Sequence, residues 1–222
     1  MRWLVRFLFK LIVGLIALSL VLVVLFKFVP VPVTATMLMD ERGITKDWEP
    51  LSNIDRDLVR AVIAVEDGKF CTHDGFDREA IERAFRENRQ GGRIRGGSTI
   101  SQQTAKNVFL WQGGGYVRKG LEAGFTVLIE QVWGKRRIME VYLNVAETGI
   151  GTYGAEAGAQ RYFGKPAADL SELEAARMAA ALPLPKKRSV INPSGWLAGH
   201  GRTIAARIGV VARDGLDACV YE

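Results

Sequence analysis

The chain has 222 residues, a net charge of +6 and only two cysteines, Cys71 and Cys219. This length suits one globular domain of usual size. In an oxidising envelope the two cysteines could pair, but two so far apart define no disulfide framework, and unpaired thiols are the default reading. The basic excess favours anionic headgroups and pyrophosphates at a membrane over nucleic acid, and no nucleic-acid partner is expected.

Residues 11–26 form an apolar run bounded by Lys10 and Lys27. With residues 3–9 included, and Arg6 and Lys10 snorkelling, the stretch reaches the roughly 20 residues of a spanning helix. Arg2, Arg6 and Lys10 precede the run, which places the N-terminus in the cytoplasm and the chain after Pro30 outside. The rival is a cleaved signal peptide, whose apolar core is usually about 7–15 residues, and no A-x-A site follows here. A retained single-pass anchor is the expectation. Residues 1–30 are read as tail and anchor, 31–50 as a linker that starts extended through alternating Val and Pro, and 51–222 as the globular domain.

Leu58, Val62 and Val65 recur at helical spacing, so Glu66 falls at a helix end. Asp77 caps a second helix with Ile81 and Phe85 on one face. Residues 90–97 hold four glycines and two arginines, read either as a cationic flap or as an ordinary linker. They lack the G-K-[ST] of a phosphate-binding P-loop, and no nucleotide cofactor is expected. Thr99 and Gln102 form a capping box for a helix over 100–110. Leu121, Phe125, Leu128 and Val132 make an amphipathic stripe, and 136–144 reads as another helix. Residues 147–158 are glycine-rich and irregular. Ser171 and Glu174 form a second capping box before an Ala-rich helix that Pro183 ends, and the tail after Gly195 matches no motif. Strand signals are few, so the fold class is mainly α.

Two segments carry the chemistry. Residues 66–75 read E-D-G-K-F-C-T-H-D-G, and 97–107 read G-S-T-I-S-Q-Q-T-A-K-N. The first puts a carboxylate after an apolar helix, a setting that raises a carboxyl pKa and suits a general base. The second opens a helix with hydroxyl, amide and ammonium donors that suit an anionic leaving group. Taken singly, each residue has a plainer reading. Glu66 is then a solvated helix end, Glu122 an exposed partner of Arg118 one turn back, and each Lys or Arg a surface cation. Ser98 and Thr99 have no His–Asp partners and read as helix-capping groups; His73 reads as a hydrogen-bonding residue rather than a metal ligand, and Asp67 as an orienting group.

These two segments are followed by R-K-x-x-E at 118–122, K-R-x-I-x-E-x-Y-L-N at 135–144 and Y-F-G-K at 162–165. In this order the motifs resemble the peptidoglycan glycosyltransferases, from about residue 51 to 185. Thr104 departs from the family's usual apolar residue, and Cys71 lies at a variable position. The resemblance implies a lysozyme-like, mainly α domain with a small membrane-proximal lobe, of the monofunctional branch, at the bacterial inner membrane with its catalytic domain periplasmic. It implies polymerisation of lipid II. Glu66 takes the proton of the acceptor GlcNAc 4-hydroxyl, that oxygen attacks the donor MurNAc C1 with inversion, and undecaprenyl pyrophosphate leaves. Glu122 is implied as the second catalytic carboxylate, on the pyrophosphate side, with a divalent cation (Mg or Mn) at Glu122 as an option. Asp67, Phe70, His73, Ser98, Thr99, Gln102, Gln103, Lys106, Asn107, Arg118, Lys119, Lys135 and Arg136 are implied around the substrate, Lys106 and Arg118 foremost among the cations. The expected partners are lipid II, the lipid-linked strand, the membrane, and other cell-wall synthesis or division proteins. The alternatives are a muramidase or lytic transglycosylase, which would not need the cation-rich motifs, and a non-catalytic anchored scaffold.

Overall fold

The computed structural model describes residues 2–89 and 97–222, with Phe85 and Asn88 described by backbone alone. The loop expected over 90–97 lies outside the described residues except for Gly97, as does the side chain of Phe85.

Helix α1 (Arg2–Phe28) is the apolar segment, and nearly all its side chains are exposed. Its C-terminal end is tied to the domain. Trp133 Nε1 donates to the Val23 carbonyl at 2.7 Å, and Arg137 donates to the carbonyls of Phe26 and Val29. The short α2 (Ala35–Leu38) and strand β1 (Thr45–Lys46) follow. These residues, expected as a linker, are built into the fold. Val31 and Met37 are buried, and Lys46 Nζ donates to the Val31 carbonyl at 2.6 Å.

Helix α3 (Arg56–Glu66) starts at Asp55, whose carboxylate accepts from the Asp57 N–H, and buries Leu58, Val59, Val62 and Ile63. Full burial of each such side chain contributes about 1.5–3 kcal/mol. Helix α4 (Arg78–Arg89) is capped by Asp77 as expected, although Ile81 is exposed. Then come α5 (Ile100–Phe109), α6 (Gly115–Val132) and α7 (Gly134–Val145). Residues 147–158 are not irregular throughout. They hold β2 (Glu147–Gly149), β3 (Thr152–Tyr153) and the start of α8 (Ala155–Phe163). β3 lies between the other two strands, parallel to β1 and antiparallel to β2. β1 lies about a hundred residues upstream of its partner, so local sequence did not announce this sheet.

Helix α9 (Glu172–Ala181) carries the second capping box and turns Ala175, Ala176, Ala179 and Ala180 inward. Those small side chains let α3 and α10 (Gly195–Arg213) pack closely on it. The tail is therefore a structural layer, ending in α11 (Ala218–Tyr221) against α7. Arg60 pairs with Asp217 at 2.9 Å, and the Arg136 guanidinium donates to the Val220 carbonyl. The cysteines are joined in a disulfide, Cys71–Cys219, across 148 residues, with Cα atoms 5.4 Å apart. The expectation of two free thiols is thereby corrected. Sequence distance carries no information once α11 folds back beside the loop after α3.

Candidate active site

The site forms where the end of α3 meets the start of α5. Asp67 leaves helical geometry (φ −162°, ψ 76°), so α3 stops at Glu66 and the chain turns through a loop. Phe70 plugs that loop into the core, fully buried. Gly75 has φ +91°, and a Cβ there would stand 2.7 Å from Thr126 Cγ2, so this turn requires glycine. The loop is stitched to α5 by polar groups. Asp67 Oδ2 accepts the Ile100 N–H at 3.0 Å, and both Asp67 oxygens lie within 3.0 Å of His73 Nε2. Because His73 Nδ1 accepts the Gly75 N–H, Nε2 is the nitrogen that carries the proton towards Asp67. Thr99 donates its hydroxyl to the Gly75 carbonyl at 2.7 Å and accepts the Gln102 N–H, while Gln102 Oε1 accepts the Thr99 N–H.

Glu66 is part-buried. Its Oε2 accepts from Gln103 Nε2 at 2.7 Å, and its Oε1 is buried with no hydrogen-bond partner. Burial, foremost, pushes its pKa up, and Asp67 adds to this; the Gln103 hydrogen bond and the charges of Arg188 and Lys106 oppose it. The carboxyl is thus held above the usual Glu range, where a base works at near-neutral pH. Glu66 lines a 180 Å³ cavity with Ser98, Thr99 and Arg83. Gln103, its hydrogen-bond partner, lines a second cavity of 230 Å³ with Lys106, Asn107, Tyr142 and Glu147. Burial lowers the Lys106 pKa, and its ammonium feels the charges of Glu122, Arg118, Lys119 and Glu66. Lys106 is therefore electrostatically coupled both to Glu66 and to the charged cluster on the first turns of α6.

Glu122 is 2% exposed. Arg118 Nη1 donates to its Oε2 at 2.5 Å, Lys119 Nζ donates to its Oε1, and Lys119 also reaches Ser98 Oγ at 2.9 Å. The reading of Glu122 as an exposed helix residue fails. Its option as a metal ligand is not supported by the donor set either. Both oxygens are taken by cations, and among the described residues no three His, Cys, Asp or Glu side chains converge on a metal position.

Other expected groups lie behind the site rather than in it. Phe70, His73 and Gln102 hold the loop and the cap. The N–H groups at the start of α5, expected to face an anion, are used at Thr99, Ile100 and Gln102 by protein acceptors, because Asp67 and the capping box complete that helix end. Lys135 donates to the His73 carbonyl and pairs with Glu130 at 2.8 Å, its ammonium 4.8 Å from the Phe70 ring centroid. Arg136 points to α11. Both cations serve packing because α7 turns them away from the groove.

The sequence reading missed Arg188, whose charge acts on Glu66, and Glu130, which accepts from Ser101 at 2.5 Å. It also missed Glu147, raised in pKa by burial and paired with Lys186 at 3.3 Å. The available signal was the run Lys186-Lys187-Arg188 directly after the Ala-rich helix.

The described architecture is that of a lysozyme-like, mainly helical glycosyltransferase domain behind one apolar helix. A family profile described as Transglycosylase matches residues 34–208. A biosynthetic peptidoglycan transglycosylase of Caulobacter vibrioides is 54% identical over 222 residues, covering 99% of this chain and 97% of the relative. Proteins of the same name from Rhodospirillum centenum and Pseudomonas putida are each 50% identical, covering 94% and 89% of this chain and 92% and 87% of their own length. The chain belongs to the transglycosylase family, and it is an enzyme of the glycosyltransferase class.

Proposed function

We propose that the chain polymerises peptidoglycan glycan strands from lipid II at the outer face of the bacterial cytoplasmic membrane. The observation that supports this most is the part-buried Glu66, held by Gln103, with Lys106 lining the cavity beside Gln103 and coupled by charge to Glu66 and to Arg118, Lys119 and Glu122. Glu66, raised in pKa, takes the proton of the acceptor GlcNAc 4-hydroxyl. The freed oxygen forms a bond to the donor MurNAc C1 on the face opposite the diphosphate, and the C1–O bond to that diphosphate breaks with inversion. Undecaprenyl pyrophosphate leaves with the electron pair, its charge met by Lys106, Arg118 and Lys119. Gln103 orients the base through its hydrogen bond. Asp67 and His73 hold the loop that presents it. Glu122 keeps the two α6 cations in place, and no step is routed through Mg or Mn. The donor is the growing lipid-linked strand and the acceptor is lipid II.

Helix α1 anchors the domain once through the membrane, N-terminus inside, in keeping with Arg2, Arg6 and Lys10 before the apolar run. Cleavage of an uncharged glycosidic bond would leave the cation bank without a task. Full-length protein in detergent should convert labelled lipid II to long glycan. A folded preparation that makes no glycan, or that releases soluble muropeptides from isolated cell wall, overturns the reading.

A further inference from the structure

Trp196 is an exposed aromatic residue with built surroundings. It is the second residue of α10 and 61% exposed. Its ring stacks on His200 one turn later, centroids 4.6 Å apart and planes 16° apart. The Arg188 guanidinium stands 5.2 Å from the indole centroid. Burial first, then Arg188 and Arg207, push the His200 pKa down, so a neutral ring backs the indole.

The position of this group matters more than its composition. Leaving α9, the chain lines the cavity beside Gln103 and Lys106 with Leu182, Pro183 and Pro185. Three residues further on, Arg188 is fixed by a 2.6 Å hydrogen bond to the Ala180 carbonyl and places its charge on Glu66. Arg188, 5.2 Å from the indole centroid, therefore links Trp196 to the segment that leaves α9 and lines the cavity beside Gln103. A membrane-anchoring role fits this place poorly. The apolar helix α1 packs against α6, whereas α10 packs against α9 and α3. A core role does not fit an exposed ring.

Although His200 stacks on it and Arg188 stands over part of it, the indole stays 61% exposed and keeps accessible ring surface for a flat partner. A pyranose ring supplies one, because its axial C–H groups make an apolar face and its hydroxyl and acetamido groups point outward. Arg188 is within reach of those polar edges. We infer that Trp196, backed by His200 and flanked by Arg188, is a stacking platform for one hexosamine ring of the glycan strand beyond the reacting pair. This rests on the polymerase reading above and adds a grip that holds the strand between successive additions.

The test uses full-length protein in detergent with ¹⁵N-labelled tryptophan. A lipid-free tetrasaccharide of alternating GlcNAc and MurNAc is titrated in, and the Trp196 indole resonance is assigned by its loss in Trp196→Phe. That resonance is expected to shift while those of Trp3, Trp48, Trp111 and Trp133 stay in place. Trp196→Ala should raise KM for lipid II roughly 3- to 10-fold and shorten the product, with kcat within about two-fold and an unchanged melt. Trp196→Tyr should restore both. An unmoved Trp196 resonance at millimolar tetrasaccharide overturns the platform. So does Trp196→Ala with unchanged KM and product length, or a lowered melt that Trp196→Tyr does not rescue. The titration needs no turnover, so a protein that binds the tetrasaccharide but makes no glycan breaks the polymerase reading alone.

Discussion

Glu66 and Glu122 both act on Lys106 by charge, yet their surroundings are opposite. Glu122 is buried with each oxygen in an ion pair, from Arg118 and Lys119. Glu66 has one hydrogen bond from a neutral amide and one buried oxygen with none. Burial beside paired cations holds the Glu122 carboxylate in a charge-compensated setting. Burial beside an amide leaves a carboxylate whose charge is poorly compensated, and such a group binds a proton more readily. The contrast shows that the partners of a buried acid decide its chemistry.

The strongest way to break this comparison is to neutralise each acid. Glu66→Gln should cut lipid II turnover by about 10²–10⁴-fold, the range for loss of a general base, with the fold retained. A variant that keeps more than a tenth of wild-type turnover would put the base elsewhere. A second test asks how far the setting of Glu66 depends on remote chain. Cys71 lies in the loop that follows Glu66, and Cys219→Ser releases the clamp across 148 residues, which should cost about 2–5 kcal/mol. Chains of this size lose roughly 2–4 °C of melting temperature per kcal/mol, read by calorimetry with and without reductant. A melt indifferent to reductant would show the clamp to be superfluous.

Glu122→Gln should lower turnover less than Glu66→Gln, through the cations it holds, and should cost stability as well. It strands Arg118, which is 15% exposed, and Lys119, which is 44% exposed, at about 2–4 kcal/mol after discounting for the solvated lysine. Chemical denaturation would measure this. An unaltered midpoint would mean that the two cations find water as readily as they find the carboxylate.

The smallest effect is the pH dependence. Because the folded Glu66 pKa is raised, its stabilising contribution is fully present below the unfolded value and is lost as pH rises through the folded one. Glu66→Gln should therefore melt slightly higher than wild type at neutral pH and show no gain at acid pH. The acidic limb of kcat/KM should lie above the ordinary Glu range. A limb at the usual carboxylate value would mean that the groove is wetter than the structure shows.

Several features were legible from local sequence because their causes are local. The Thr99–Gln102 and Ser171–Glu174 capping boxes, the apolar N-terminal run and the end of α3 at Glu66 each depend on residues a few positions apart. Thr104, unusual for the family, is fully buried with its hydroxyl on the Ile100 carbonyl one turn back, so it packs without an orphaned polar group. Glu66, Gln103, Lys106 and Arg118 were also named, because the motif pattern singles those residues out. What local sequence did not show was where each cation points. Lys106 and Lys135 are both lysines in motifs, and only the rotation of α5 and α7 about their axes sends one to the groove and the other to Glu130 and the Phe70 ring.

By itself, then, the order of residues determined the family, the helical class, the anchor-like first helix and the place of Glu66 at the end of α3, since periodicity, caps and motif spacing act over one or two turns. Tertiary structure alone decided that Cys71 meets Cys219, that Glu122 is enclosed by its own helix's cations, and that Arg188 bonds the Ala180 carbonyl beside the Trp196 ring. Those outcomes depend on how distant segments pack, and burial and charge proximity arise only once they do.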